Sequence, residues 1–303
     1  MRLAVYATPF RSDRTALAGW RLIELALSKG DEVRLASDAV DAFCDKGIDI
    51  DSLRGWKIWR GAKVPRLTDF VISLGGDGTF LRAAHWSGDY QIPVAGINLG
   101  HLGYLPAFTD SDIDTILEIL RSGEFDIESR SMLAVDIPAG LIPHDEQPWL
   151  QALNEVAILK QDTASMISIP VSADNHELGV YRADGLIIST PTGSTGYSLS
   201  VGGPVLQPTV PALVLSPIAD HSLTMRPMVI NDNTVLVTTA QGRATSFRVS
   251  LDGKSFTLPS GTPVKIYKAP FCCRIVCRKE SMFSATLRSK LLWGESRAID
   301  RHD

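Results

Sequence analysis

Leu74-Gly75-Gly76-Asp77-Gly78-Thr79-Phe80 is the stretch that decides how this chain is read. An apolar run, Phe70-Val71-Ile72-Ser73, precedes it and Leu81-Arg82-Ala83-Ala84 follows, which is the pattern of a strand, a tight glycine turn and a helix. Glycines at 75, 76 and 78 let backbone N–H groups approach a ligand with no Cβ in the way. The helix start adds unpaired N–H groups and the positive end of its dipole, which suits phosphate. Gly75, Gly76, Gly78 and Thr79 are therefore candidate phosphate-binding residues. Asp77 places a carboxylate where phosphate would lie, which makes sense if it holds a metal ion or accepts a hydroxyl proton. That combination points to phosphoryl transfer, with Asp77 as the catalytic candidate. The plainer alternative is an aspartate helix cap beside ordinary turn glycines. The run is neither a Walker A loop nor a dinucleotide-binding G-x-G-x-x-G.

Composition bounds the rest. With 303 residues, 45% of them apolar and 21% charged, the chain has room for two domains of an ordinary globular protein. A net charge of −4 supplies no global basic field, so nucleic acid is not expected as a partner and an anionic substrate must be held by local groups. The longest apolar runs, such as Leu186-Ile187-Ile188 and Ala212-Leu213-Val214-Leu215, are far too short to span a bilayer, and no membrane partner is expected. Met1 to Ala7 reads as a first strand, not a signal peptide. The four cysteines, Cys44, Cys272, Cys273 and Cys277, are expected as free thiols in a reducing cytoplasm. Cys273, Ile275 and Cys277 share one face of a strand over 271–278 and are expected in a core.

Periodicity divides the chain. Up to Gly123, strands (Leu3–Ala7, Glu32–Ala36, Phe70–Leu74, Pro93–Ile97) alternate with helices (Thr15–Lys29, Ala39–Lys46, Asp110–Arg121), which predicts a Rossmann-like parallel sheet with helices on both faces. From Phe125 to Arg278 the period becomes two, with Gly, Pro, Asp and Asn turns such as Leu251-Asp252-Gly253-Lys254 between strands. That predicts an all-β sandwich. A helix over Ser281–Trp293 follows. The expected domains are 1–123 joined by the C-terminal helix 280–303, and 124–279. Gly140 to Gln151 reads as an exposed loop.

Asp184-Gly185-Leu186-Ile187-Ile188-Ser189-Thr190-Pro191-Thr192-Gly193-Ser194-Thr195-Gly196-Tyr197-Ser198 is the second strong signal. A strand feeds a loop crowded with hydroxyls, a neutral hydrogen-bonding surface for sugar and base, with Tyr197 able to stack on a base. The alternative is a polar hairpin loop with ordinary Ser/Thr turns. Asn154-Glu155, before the strand Val156–Leu159, would suit ribose hydroxyls, though alone the pair reads as a polar start to a strand. Asn98 to Tyr104 follows a buried strand, and ligands of open α/β sheets lie beyond strand C-termini. His101 there is an acid–base candidate or a structural histidine. His221 and Arg226, in His221-Ser222-Leu223-Thr224-Met225-Arg226-Pro227, are either phosphate contacts or parts of a turn.

With these motifs laid out, the chain resembles the NAD kinase family. The matching stretches are Leu74–Ala84, Ile97–Leu105, Asn154–Ile158, Asp184–Pro204 and His221–Pro227, in the family's order, and Leu287–Gly294 looks like the family's end. The Gly-Gly-Asp-Gly-Thr run alone is shared with diacylglycerol-type lipid kinases and 6-phosphofructokinase. The resemblance implies phosphorylation of the 2′-hydroxyl of the adenosine ribose of NAD, giving NADP. It implies ATP, or polyphosphate, as donor, with Mg²⁺ or Mn²⁺, and a homodimer or homotetramer. Asp77 matches the catalytic aspartate. Gly76, Gly78, Asn154, Glu155, Arg182, Asp184, Thr195, Gly196, Tyr197 and Ser200 join it as NAD-binding candidates, with Gly103, Tyr104 and Leu105 near the adenine. Two other classes stay open: a lipid kinase, and a nucleotide-binding regulator without catalysis. The loop Tyr6-Ala7-Thr8-Pro9 and the segment Trp56–Pro65 depart from the family pattern, which bears on donor contacts.

Overall fold

The computed structural model describes residues 1–100, 103–161, 166–222, 224–279 and 283–293. It forms two compact units: Met1–Ala83 with Ile92–Glu128 and Ile275–Asp303, and Ala84–Gln91 with Ser129–Arg274.

In the first unit, numbered in chain order, β1 (Arg2–Ala7), α1 (Asp13–Ser28), β2 (Glu32–Ala36), α2 (Ser37–Cys44), β3 (Trp56–Trp59), β4 (Phe70–Leu74), α3 (Asp77–Ser87, of which residues from Ala84 belong to the second unit), β5 (Val94–Asn98), β6 (Phe108–Thr109) and α4 (Ile116–Ser122) alternate as the sequence pattern predicts. The parallel strands run in the order β3-β2-β1-β4-β5. The order reverses between β1 and β4, and in open α/β sheets ligands bind beyond the strand C-termini at such a reversal. The Gly75–Thr79 turn leaves β4 at that point. Apolar side chains of the central strands, among them Val5, Leu35, Ile72, Leu74, Val94 and Ile97, are almost fully buried, as are Phe43 of α2 and Phe80 of α3. Buried strands of this kind read as continuous apolar runs.

One expected helix differs. Asp110–Arg121 is a short 3-10 turn over Asp110–Asp112 and then α4. Asp112 reaches back to the Thr109 N–H at 2.8 Å and pairs with Arg278 at 2.6 Å, which fixes the first turn separately from the helix proper.

The second unit contains β7 (Phe125–Asp136), of which residues from Ser129 belong here, β8 (Gln151–Ala152), β9 (Glu155–Lys160), β10 (Ile167–Ala173), β11 (His176–Ala183), β12 (Gly185–Ser189), α5 (Tyr197–Ser200), β13 (Ala212–Ile218), β14 (Met228–Asn231), β15 (Leu236–Thr238), β16 (Ser246–Leu251), β17 (Lys254–Pro259) and β18 (Val264–Arg278), of which residues up to Arg274 belong here. One antiparallel sheet runs β14-β13-β12-β9-β16-β17; β11, β10, β15 and β18 form the other side, with β7 beside β18 and β8 on β7. Alternate residues of both, such as Val156, Ile158, Leu186 and Ile188 against Leu133, Ile169, Val171 and Ile266, close a single core. Gly140–Gln151 is not merely an exposed loop: Ile142 lies in that core and Trp149 and Leu150 pack against it. Their apolar surface outweighs the polar composition of the segment.

The C-terminal helix α6 spans Phe283–Leu291; Glu280–Met282 and residues from Gly294 on, to which its expected ends fell, lie outside the described residues. Cys273 and Cys277 are buried, Cys272 is half-buried and Cys44 is exposed, all four as free thiols. Burial pushes the Cys273 thiol up to about 12. Among the described residues no helix is long and apolar enough to cross a membrane.

Candidate active site

In the first unit the site is built around one carboxylate. Asp77 opens α3, yet its side chain does not cap that helix. Its Oδ2 accepts the Tyr104 N–H and its Oδ1 the Leu105 N–H, each at 2.9 Å. The loop after β5 is thereby tied to the turn after β4. The approach is close enough that a Cβ on Gly103 would stand 2.6 Å from Asp77 Oδ1, so glycine is required there by space. On the other side of the same backbone, Lys290 of α6 donates to the carbonyl oxygens of Tyr104 at 3.0 Å and Pro106 at 2.7 Å. Burial lowers the Lys290 ammonium from its ordinary range, and the negative charge of Asp77 opposes that shift. Tyr104 and Leu105 are thus held through their N–H groups by Asp77, and Tyr104 and Pro106 through their C=O groups by Lys290. Thr79, buried one turn into α3, meets Thr8 hydroxyl to hydroxyl at 2.6 Å, joining the loops after β1 and β4. His101 and Leu102 lie outside the described residues.

In the second unit the Thr190–Ser200 segment forms a 3-10 turn over Thr192–Thr195 and then α5. Its hydroxyls differ in use from the sequence expectation of a ligand-facing surface. Thr190 Oγ1 donates to the Leu153 carbonyl at 2.6 Å and accepts the Gly193 N–H at 3.1 Å. Ser194 Oγ donates to Pro191 O and accepts the Leu206 N–H. Thr195 turns back to Thr192 O, and Ser198 meets Ser216. These groups shape the loop, whereas Tyr197 and Ser200 are exposed. A Cβ on Gly193 would lie 2.1 Å from the Asn154 carbonyl, so the turn can press against Asn154 only with glycine at that position.

Asn154 and Glu155 sit beneath this turn. Gly196 stands close by, where an added Cβ would be 3.3 Å from Glu155 Oε2 and 3.5 Å from Asn154 Nδ2. Asn154 Oδ1 and Glu155 Oε2 are shielded from solvent and meet no hydrogen-bond partner among the described residues. Burial, with the Asp252 charge adding to it, pushes the Glu155 carboxyl up to about 8, against a backbone bond from Tyr197.

The remaining predicted residues gather elsewhere in this unit. Register pairs Ser189 with Glu155 and Gly185 with Leu159, so Asp184 lies at the opposite end of the β9–β12 pair, roughly 16 Å along the strands at about 3.3 Å per residue. There Asp184 pairs with Lys160 at 2.6 Å, and the His221 N–H donates to the exposed Arg182 carbonyl at 3.0 Å. Arg226 donates to Met225 O. The unit therefore brings Asn154, Glu155, Gly196 and Tyr197 together and holds Arg182, Asp184 and His221 apart from them.

Three residues escaped the sequence reading: Lys290, Asp252 and His85. Asp252-Gly253 was legible as a turn, but its carboxylate acts on residues nearly a hundred positions away, and no local pattern reports that.

Two family models match the chain: the ATP-NAD kinase N-terminal domain over residues 58–125 and the ATP-NAD kinase C-terminal domain over residues 153–276. The NAD kinase of Porphyromonas gingivalis strain W83 is 43% identical over 231 residues, 76% of this chain and 78% of that one. The NAD kinase of Bacteroides fragilis strain ATCC 25285 is 42% identical over 228 residues, 75% of this chain and 77% of that one. Among solved structures, yeast NADH kinase complexed with NADH superposes with a TM-score of 0.83 at 22% identity, covering 99% of this chain and 89% of that one. An NAD kinase from Archaeoglobus fulgidus in complex with ATP gives 0.72 at 24% identity, covering 95% and 99%. An α/β unit with this glycine turn, followed by this β unit, defines the class. The chain belongs to the NAD kinase family and is an enzyme of that kind. The lipid-kinase alternative has no support among these matches.

Proposed function

We propose that the protein transfers the γ-phosphate of ATP to the 2′-hydroxyl of the adenosine ribose of NAD, with Asp77 orienting that hydroxyl and taking its proton. The observation that carries this is the Asp77 carboxylate, pinned by two backbone amides at the start of α3, beyond the C-terminus of β4 where the strand order reverses. Bond making runs from the ribose oxygen to the γ-phosphorus while the bond to the leaving ADP breaks. In such a loose transition state positioning and charge neutralisation matter more than base strength. A fixed carboxylate supplies the first and a late proton acceptor. Added Cβ atoms on Gly76 and Gly78 would meet no atom within 4 Å among the described residues beyond their own chain neighbours, so packing against those residues does not demand glycine there. Close approach of phosphate to the Gly75–Thr79 backbone supplies a reason for them.

ATP as donor is favoured by the family model and by the ATP bound to the Archaeoglobus enzyme. No cluster of three or more His, Cys, Asp or Glu suited to a metal occurs among the described residues. We assign Mg²⁺ or Mn²⁺ to the donor phosphates, since Mg²⁺ commonly keeps its waters and binds through one or two carboxylates plus phosphate. When bound, the ion would neutralise phosphate charge.

Asn154 and Glu155 offer the polar atoms for the ribose. A single ribose cannot also touch Asp184 from the same chain, given the strand length between them. We therefore assign the Arg182, Asp184 and His221 group to the pocket of a neighbouring copy, in a homodimer or homotetramer. The test is direct. Purified protein with ATP, Mg²⁺ and NAD should form NADP, with the new phosphate on the adenosine ribose by phosphorus NMR. Diacylglycerol as acceptor should stay unmodified. Absence of NADP under these conditions overturns the reading.

A further inference from the structure

The turn between β16 and β17 does more than reverse the chain. Asp252 and Gly253 both have positive φ, +47° and +89°, the pattern of a two-residue hairpin turn. From this turn the Asp252 side chain reaches the start of β9. Its Oδ2 accepts the Leu153 N–H at 2.7 Å, and its Oδ1 accepts the Asn154 N–H at 2.9 Å and the Glu155 N–H at 3.1 Å. His85 Nε2 lies 3.1 Å from Oδ2, and its ring packs 5.1 Å from that of Trp149. The Asp252 side chain is 1% exposed and that of His85 4%.

The carbonyl side of the same three residues is also occupied. Thr190 Oγ1 donates to Leu153 O, the Thr190 N–H donates to Asn154 O at 2.9 Å, and the Asp252 N–H donates to Glu155 O at 3.2 Å. Every N–H and every C=O of residues 153–155 is therefore bonded. The buried polar atoms of Asn154 and Glu155 that meet no partner among the described residues are on the side chains, Asn154 Oδ1 and Glu155 Oε2. A backbone fixed on both sides, presenting unspent side-chain atoms, is how a binding site avoids an ordering cost when ligand arrives.

We propose that Asp252, braced by His85, is a positioning residue of the acceptor site. It fixes the Leu153–Glu155 backbone so that the Asn154 and Glu155 side chains are held ready for the ribose of NAD. This rests on the reading of Asn154 and Glu155 as ribose ligands. The carboxylate also places a negative charge beside Glu155, which works with burial to favour the protonated carboxyl, a donor as well as an acceptor.

The test is Asp252→Asn in the full-length enzyme. Asparagine tolerates the left-handed turn, so the hairpin persists, but an NH₂ replaces one accepting oxygen and faces backbone N–H groups. We expect the KM for NAD to rise about 10-fold or more, with the KM for ATP and kcat within about threefold, the signature of binding lost equally in the ground and transition states. His85→Phe keeps a ring against Trp149 and removes the brace; it should raise the KM for NAD about threefold by the same logic. Asn154→Ala tests the underlying reading separately. If Asn154→Ala leaves the KM for NAD unchanged, the ribose assignment itself fails. If Asn154→Ala raises it while folded Asp252→Asn leaves it unchanged, or lowers only kcat, the positioning role is overturned. Should Asp252→Asn fail to melt cooperatively, His85→Phe decides: an unchanged KM for NAD overturns the proposal.

Discussion

Asp77 stands at the start of α3 among Gly75, Gly76 and Gly78. Each of its oxygens already accepts one backbone N–H, from Tyr104 and Leu105, and keeps a lone pair for a further partner. That changes how a substitution should be read. Asp77→Asn removes the proton acceptor and also turns an amide NH₂ toward one of two backbone N–H groups. We expect kcat to fall by ~10²-fold or more, in the range of a general acid–base residue. Stability should drop by about 1–2 kcal/mol from the mismatched bond. Single-turnover kinetics beside a urea melt separates the two losses; near-normal turnover would end the catalytic assignment. Glu155 gives a pH test. Its carboxyl sits near 8 in the fold against 4.5 unperturbed, so the native state holds a proton that the unfolded chain releases. Its contribution to stability is full below about 4.5 and is lost as pH rises through about 8. Glu155→Gln should therefore gain in relative Tm between pH 5 and 8. A difference that stays level across that window contradicts the burial argument.

At the scale of elements, strands and helices with strong apolar periodicity were readable, and so was the change from alternating α/β to all-β near Gly123. Ends and short turns were not. The Asp110–Asp112 turn depends on Arg278, and the Gly140–Gln151 segment depends on a core that Ile142 and Trp149 help fill. Both partners are distant in sequence, where local patterns carry no information. The same holds for α6, readable as a helix but not as the support of a catalytic loop. Lys290 contributes two bonds to Tyr104 and Pro106 from the opposite side to Asp77. Lys290→Met keeps the length and apolar stem of the side chain and removes both bonds. We expect kcat to fall about 10-fold, since a small displacement of a catalytic constellation is costly. The KM for NAD should move less than kcat. A variant with wild-type kcat would show that the Tyr104–Pro106 backbone holds its place without α6.

For the whole molecule, the separation of Asp184 and His221 from Asn154 predicts that one chain does not complete its own acceptor pocket. Specific activity should fall on dilution in step with dissociation seen by light scattering; a fully active monomer of about 33 kDa would rule the shared pocket out. Neither the composition nor the strand pattern distinguished the two ends of β12, because the motif Asp184–Ser198 is continuous in sequence and only strand length separates its parts. The cysteines have a consequence of a different sort. Cys44 lies in water, while Cys273 sits in β18 with its thiol held far from ionisation. Thiolate is the species that alkylates, so the chain carries its own clock for opening. Under iodoacetamide, mass spectrometry should find Cys44 modified at once and Cys273 modified only as fast as β18 leaves its neighbours, a rate that NAD or ATP should slow by mass action if either binds the folded form.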